Sequence, residues 1–325
     1  MSKAPRRSAR PVLAALVAAL LSVSPAAAAG HGARAGTGFW VDPDTAAARQ
    51  ADTYRAQGRT ADAALVDRIA QRPQAVWLHG AEPGPTVRAA TEAAARAGRT
   101  AVLVAYHIPH RDCGAFSSGG APDAAAYRAY VDSFAEGLGS RGAYVVVEPD
   151  AVAATVAGCP GADPEERYAL LAYAVRQLAA RPGTRVYLDA GNAGWVPDPA
   201  RLVEPLRRSG VAAATGIALN VSNYRTSAET SAYGHRLLTA LGGSPHFVVD
   251  TSRNGNGPYD GPDAWCNPPG RALGTPPTTN TGDPALDAYL WIKRPGESDG
   301  SCRGAPPAGQ WWESGALELA RNAAD

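Results

Sequence analysis

Apolar runs of five to seven residues recur along the chain at 75–79, 101–107, 143–148, 185–189, 215–220, 246–250 and 288–293. Between them lie Ala-, Leu- and Arg-rich stretches with helical spacing at 60–71, 86–97, 123–138, 164–180, 199–209 and 228–241. Near-continuous apolar strands alternating with amphipathic helices predict an α/β fold, a parallel sheet covered by helices. No short repeat and no Ser/Pro/Thr-rich linker breaks the pattern, so a single domain is expected. The 325 residues are enough for a full hydrophobic core.

The first 29 residues stand apart. Lys3, Arg6, Arg7 and Arg10 precede an apolar run at 11–23, and Ala-x-Ala sites end near Ala27 to Ala29. This is the layout of a secretory signal peptide, and the run is too short to span a bilayer. A short tail at 30–38 follows, and the domain proper is expected over 39–325. The chain should therefore be secreted, with no membrane attachment after signal removal, and should act as a monomer. Without those four cations the remainder has 27 basic and 30 acidic residues, a net of −3. Binding to a polyanion needs a basic face, so nucleic acid is excluded as a partner.

Export changes how the cysteines are understood. Cys113, Cys159, Cys266 and Cys302 are widely spaced, with no C-x-x-C pair. An even count in an exported chain points to disulfides and not to zinc. Three connectivities are possible, of which Cys113–Cys159 with Cys266–Cys302 closes the most local loops.

Acids fall at or just after the strand candidates: Asp112, Asp150, Asp189, Asp250 and Asp299. In a barrel of parallel strands these ends converge on one face, where active sites form. Single aspartates at such positions often only cap helices, but five, flanked by Trp and Gly, exceed that role. Trp77, Trp195, Trp265 and Trp291 sit at or near strand ends, where flat rings can stack on sugar faces; Trp291, within its strand candidate, is expected in the core. The stretch 251–283 has little periodicity and carries Cys266, which suggests an ordered functional loop. Only Lys3 and Lys293 are lysines, which predicts a compact ammonium at the mouth of the site. The HIPHRD stretch (107–112) looks superficially metal-like, but Pro109 breaks its geometry and no matching second cluster exists, so no metal is expected. No nucleophile elbow, P-loop or dinucleotide motif appears, so no cofactor is expected. Carboxylates plus tryptophans in an exported barrel suggest glycosidic bond cleavage.

Several motifs are more specific. YHIPHRDCGAFSSGG (106–120), VVVEPDAVA (145–153), VYLDAGNAGW (186–195), NVSNYR (220–225), DTSRNGNGP (250–258), WCNPPGRALG (265–274) and LWIKRPGESDG (290–300) resemble glycoside hydrolase family 6, in order, from about residue 39 onward. The resemblance implies a distorted seven-stranded parallel β/α barrel and a β-1,4-glucan substrate cleaved with inversion, by an endoglucanase or a cellobiohydrolase. It implies Asp150 as general acid, Asp112 as the carboxylate that raises the pKa of that acid and helps activate water, and Asp299 as the proposed base. Tyr106 and Ser118 would act at the reacting sugar, through ring distortion and a water chain; Arg111 and Asp189 belong to the same catalytic motifs. Trp77, Trp195, Asn223, Trp265, Lys293 and Glu297 match glucosyl-binding positions, and the two disulfides would be Cys113–Cys159 and Cys266–Cys302. Asn192 stands where the family usually has His, so a binding contact there could not become charged. The short stretch after Asp299 leaves little chain for a lid, which predicts an endo-acting enzyme.

Overall fold

The computed structural model describes residues 1, 2, 4, 38–242 and 245–324. The signal-peptide and tail assignments therefore lie, except for Gly38 and three leader residues, outside the described residues. From residue 36 onward the chain forms one unit. Its strands are β1 (Val76–Leu78), β2 (Ala101–Ala105), β3 (Ala143–Val147), β4 (Arg185–Asp189), β5 (Gly216–Leu219), β6 (His246–Asp250) and β7 (Leu286–Leu290). All pair in parallel, in sequence order from β1 to β7. The sheet is a curled half-barrel. β1 and β7 do not form a ladder, but Ala75 N–H donates to Trp291 O (3.0 Å) and Trp77 Nε1 to Ile292 O (2.8 Å), which brings the two edges together.

The helices are α1 (Ala46–Ala56), α2 (Thr60–Ala70), α3 (Gly84–Arg96), α4 (Ala124–Leu138), α5 (Ala151–Val156), α6 (Pro164–Ala179), α7 (Ala200–Arg208), α8 (Ser227–Leu241) and α9 (Glu313–Asn322). Sequence periodicity places six of these within about two residues. It misses α1, α5 and α9, and β7 begins two residues earlier than expected, because Asp287 interrupts the apolar run. α5 is only six residues long and follows Asp150 directly, too short to show a period. None of the described helices is long and apolar enough to cross a membrane.

Side chains alternate across the sheet. Leu103, Val145, Leu188, Ile217, Phe247 and Val249 face the helices in a large outer core, while Val102, Val104, Val146, Tyr187, Ala218 and Val248 fill the inside of the curl. The same parity carries Tyr106, Asp189 and Asp250 inward at the C-terminal strand ends. Trp291 is buried in a third cluster with α1, α2 and α9, as its position within the strand candidate suggested. Strands β5 and β6 approach so closely that a Cβ on Gly216 would lie 1.8 Å from His246 O, which only glycine allows. The disulfides join Cys113 to Cys159 and Cys266 to Cys302.

Candidate active site

The five aspartates do reach one end of the sheet, but their surroundings divide them. Asp250 is fully buried and saturated: its oxygens accept from the N–H groups of Ser252 (2.9 Å), Ile292 (3.3 Å), Ser222 (3.0 Å) and Lys293 (2.9 Å). It ties the ends of β5, β6 and β7 together and has no free lone pair aimed at a substrate. Asp189 is also fully buried. Its Oδ1 accepts from Asp150 N–H (2.9 Å) and Gly191 N–H (3.1 Å), and its Oδ2 meets no donor. Burial pushes its pKa up to about 7, against the help of those two amides.

Asp150 opens α5 at φ +73°, a left-handed conformation costly for any residue with a Cβ. Its carboxylate takes no hydrogen bond from the described residues. Burial raises its pKa well above the ordinary carboxylate range, and the charges of Asp189 and Asp112 raise it further. A carboxyl whose pKa is raised above the ordinary carboxylate range, with both oxygens free of protein donors, is placed to deliver a proton to a substrate.

Asp112 lies on the loop after β2. Burial raises its pKa, while Ser117 N–H, 2.7 Å from its Oδ2, works the other way. The loop is tightly built: His110, Asp112 and Cys113 are all left-handed, at φ +54°, +55° and +50°. Each such residue costs about 1–3 kcal/mol and persists only with outside support. Arg111 supplies much of it. Its Nε donates to Ser117 O (2.8 Å), and its terminal nitrogens donate to Tyr106 O (2.9 Å) and Ser118 O (3.1 Å), with its guanidinium over the Tyr106 ring. Arg111 thus faces its own loop, and the Cys113–Cys159 bridge anchors that loop to the segment after α5. Ser118 is exposed at the end of the loop.

Asp299 is the electrostatic opposite of Asp150. Its Oδ2 accepts from Arg253 (2.8 Å), Tyr224 OH (2.9 Å) and Asn267 N–H (3.0 Å), and Lys293 Nζ lies 3.5 Å from its Oδ1. Burial would raise its pKa, but Arg253 and Lys293 overcome that and hold it below the ordinary value. Lys293 is not at an open mouth, as the sequence suggested. It is buried, donates to Ser298 O (3.0 Å), and pairs with Asp299, because a buried ammonium requires a counter-charge. Sequence reasoning missed Arg253, Tyr224 and Asn267, although all three lie in motifs quoted above; only the fold shows that they converge on one carboxylate.

Phe116, Trp195 and Trp265 are the large apolar side chains left exposed in this unit, all on loops at the C-terminal ends of the strands. Asn192 Oδ1 accepts from Gly194 N–H (3.0 Å) and Trp195 N–H (3.2 Å), so it shapes the turn that presents Trp195. Trp77 packs edge-on against Tyr106 inside the curl. Asn223 turns its Oδ1 to Tyr224 N–H (2.8 Å), and Glu297 pairs with Arg294 (3.2 Å). The unforeseen member is Phe116, whose ring meets that of Trp265 at 5.9 Å between centroids and connects the Asp112 loop to the long β6–β7 loop.

A parallel half-barrel thus gathers free and locked carboxylates, flanked by exposed tryptophans, at the C-terminal ends of its strands, the face where active sites form in barrels of parallel strands. The model of glycosyl hydrolases family 6 matches residues 34–323, and the chain belongs to that family. It is 45% identical over 293 residues to endoglucanase A of Cellulomonas fimi, covering 88% of this chain and 62% of that protein, so it spans less than two thirds of that relative's length. It is 34% identical over 320 residues to 1,4-beta-D-glucan cellobiohydrolase C of Emericella nidulans, covering 78% of this chain and 70% of the relative. Among solved structures, the endoglucanase Cel6 from Mycobacterium tuberculosis, in complex with methyl-cellobiosyl-4-deoxy-4-thio-beta-D-cellobioside, superposes with a TM-score of 0.83 at 45% identity, covering 89% of this chain and 98% of that one.

The buried Asp189 makes a pH prediction. Its folded pKa lies above its unfolded value, so the folded state binds the proton more tightly. Its contribution to stability is present below about pH 4 and is lost as pH rises toward 7. In urea unfolding, the stability of the wild type relative to Asp189→Asn should fall as pH rises across that window. A difference that stays constant with pH would contradict the assignment.

Proposed function

We propose that the protein is a cellulase that hydrolyses β-1,4-glucosidic bonds with inversion, with Asp150 as general acid. The observation that carries this is the contrast between Asp150, pushed upward with no protein donor on its carboxylate, and Asp299, locked in its ionised form. In this mechanism Asp150 protonates the leaving glycosidic oxygen while a water attacks the opposite face of the sugar. Asp299 is a poor base, since three donors and an ammonium consume its lone pairs. Asp112, with one amide on one oxygen, is better suited to take the proton of the attacking water, directly or through a second water held near Ser118. Tyr106, behind the reacting ring, favours its distortion. Trp77, Trp195, Trp265, Asn192, Asn223, Lys293 and Glu297 are proposed as the glucosyl-binding set, with Lys293 acting partly through Asp299.

Endo action is supported by the higher identity to relatives named endoglucanase, 42–46%, than to those named cellobiohydrolase, 32–34%. It is supported also by the short chain, 303–312, between Cys302 and α9. One observation favours exo action instead: the Phe116–Trp265 contact links two loops beside the site, as a partial roof would. Export through the N-terminal leader is part of the same proposal and agrees with two disulfides formed in an oxidising compartment.

Asp150→Asn should lower hydrolysis of cellulose by about 10²–10⁴-fold and largely spare a substrate whose leaving group needs no proton. Equal losses on both substrates would remove Asp150 from the acid role. Product analysis tests action and stereochemistry together: carboxymethylcellulose viscosity should drop well before reducing ends accumulate, and NMR should show α-configured new ends. Slow viscosity loss with cellobiose as nearly the sole early product would make the enzyme exo-acting, and initial β ends would end the inverting mechanism. Sequencing of protein recovered from culture medium should give an N-terminus near Ala29; retention of the full leader inside the cell would refute export.

A further inference from the structure

Glu148 directly follows β3, two residues before Asp150, is fully buried, and enters no step of the proposed reaction. Its two oxygens accept the N–H of His107 (3.0 Å each), and Oε2 also accepts the N–H of Ile108 (3.1 Å). Those amides stand at the root of the loop that carries Arg111, Asp112 and Ser118. The same root is held by its carbonyls, since Arg167 of α6 donates to Pro109 O and His110 O (3.0 Å each). Glu148 adopts φ +47° and Asp150 φ +73°, with Pro149 between them. Two left-handed residues in three positions need a restraint from outside the turn, and the bonds from Glu148 across to the β2 end provide one.

We propose that Glu148 is a positioning residue that sets Asp150 against Asp112, by clamping the turn of the one to the root of the loop of the other. This rests on Asp150 and Asp112 having the roles proposed above. The groups facing Glu148 are Tyr106 and His107 at the end of β2, Tyr127 and Tyr130 of α4, Arg111 of the Asp112 loop and Arg167 of α6. Tyr127 approaches without reaching hydrogen-bond geometry. Neither arginine forms an ion pair with it; both are spent on backbone carbonyls. The amides are therefore what hold the carboxylate, and through it the two loops. Burial pushes its pKa up to about 7, so its charge is costly, as expected for a group retained for what it holds in place.

Two substitutions separate reach from charge. Glu148→Asp keeps the carboxylate but is one bond too short to hold both amides. Glu148→Gln keeps the reach and one acceptor without the charge. A misplacement of about 1 Å at a reacting group costs about 10²-fold. Glu148→Asp should therefore lose kcat by about that factor with little change in KM, and should shift the alkaline limb of the kcat–pH profile. Glu148→Gln should recover about tenfold of the loss. Equal losses in both variants, or wild-type kcat and pH profile in Glu148→Asp, overturn the proposal. If Glu148→Asp fails to fold, hydrogen exchange in the unmodified enzyme decides: the His107 and Ile108 amides should be strongly protected, and exchange as fast as that of the exposed loop residues defeats the clamp. Asp150→Asn assayed in parallel separates failure of this proposal from failure of the acid assignment. An Asp150→Asn enzyme that still hydrolyses cellulose sinks the acid role, whereas an inactive one leaves the Glu148 results to stand or fall alone.

Discussion

Unfinished backbone hydrogen bonds at the C-terminal ends of the parallel strands are the constraint on which the rest of the structure depends. Each strand leaves N–H groups beyond its last ladder bond, in a place too enclosed for water to serve them all, and burying them unpaired is expensive. Acidic side chains fill the gap. Glu148 joins the ends of β3 and β2, Asp189 joins β4 to the Asp150 turn, and Asp250 joins β5, β6 and β7. Because each receives amides from a neighbouring segment, the strand ends are fixed relative to one another, and so are the loops that leave them.

That solution concentrates negative charge in a desolvated region, which decides the chemistry. Burial moves Glu148 and Asp189 up to about 7, and burial together with the neighbouring charges of Asp189 and Asp112 moves Asp150 well beyond the ordinary range. Asp299 escapes only because Arg253 and Lys293 sit beside it. A pair of carboxyls with pKa values driven apart is what acid-assisted bond cleavage requires. The protein obtains this through unequal distribution of donors. Asp250 has four amides, Asp299 a cation, an ammonium, a phenol and an amide, and Asp150 none.

Loops are held by different means from strand ends. Asn267 receives Asp299 N–H, gives its own N–H to the Asp299 carboxylate, and bonds Ser298 Oγ and Gly300 O, beside the Cys266–Cys302 bridge. Arg111 and Cys113–Cys159 do the equivalent for the Asp112 loop. With both loops restrained, Phe116 and Trp265 can remain exposed and in contact instead of collapsing into the core. Exposed rings with a fixed backbone are suited to stacking on a sugar at small entropic cost.

The sequence by itself determined the element order, the parallel α/β class and the face on which the acids gather, because continuous apolar runs, helical periodicity and strand-end positions are local properties. Motif resemblance added the family and the disulfide pairing. What only the tertiary structure decided is how each acid is surrounded. Asp112, Asp150, Asp189, Asp250 and Asp299 look alike along the chain, and Lys293 looks like a free cation at a cleft. Their division into staples, a locked anion and a carboxyl without protein donors comes from partners up to 75 residues away, such as Ser222 for Asp250 and Tyr224 and Arg253 for Asp299. A pKa is set by solvent exclusion and by nearby charge, and both exist only once the strands have curled and brought distant segments within a few ångströms.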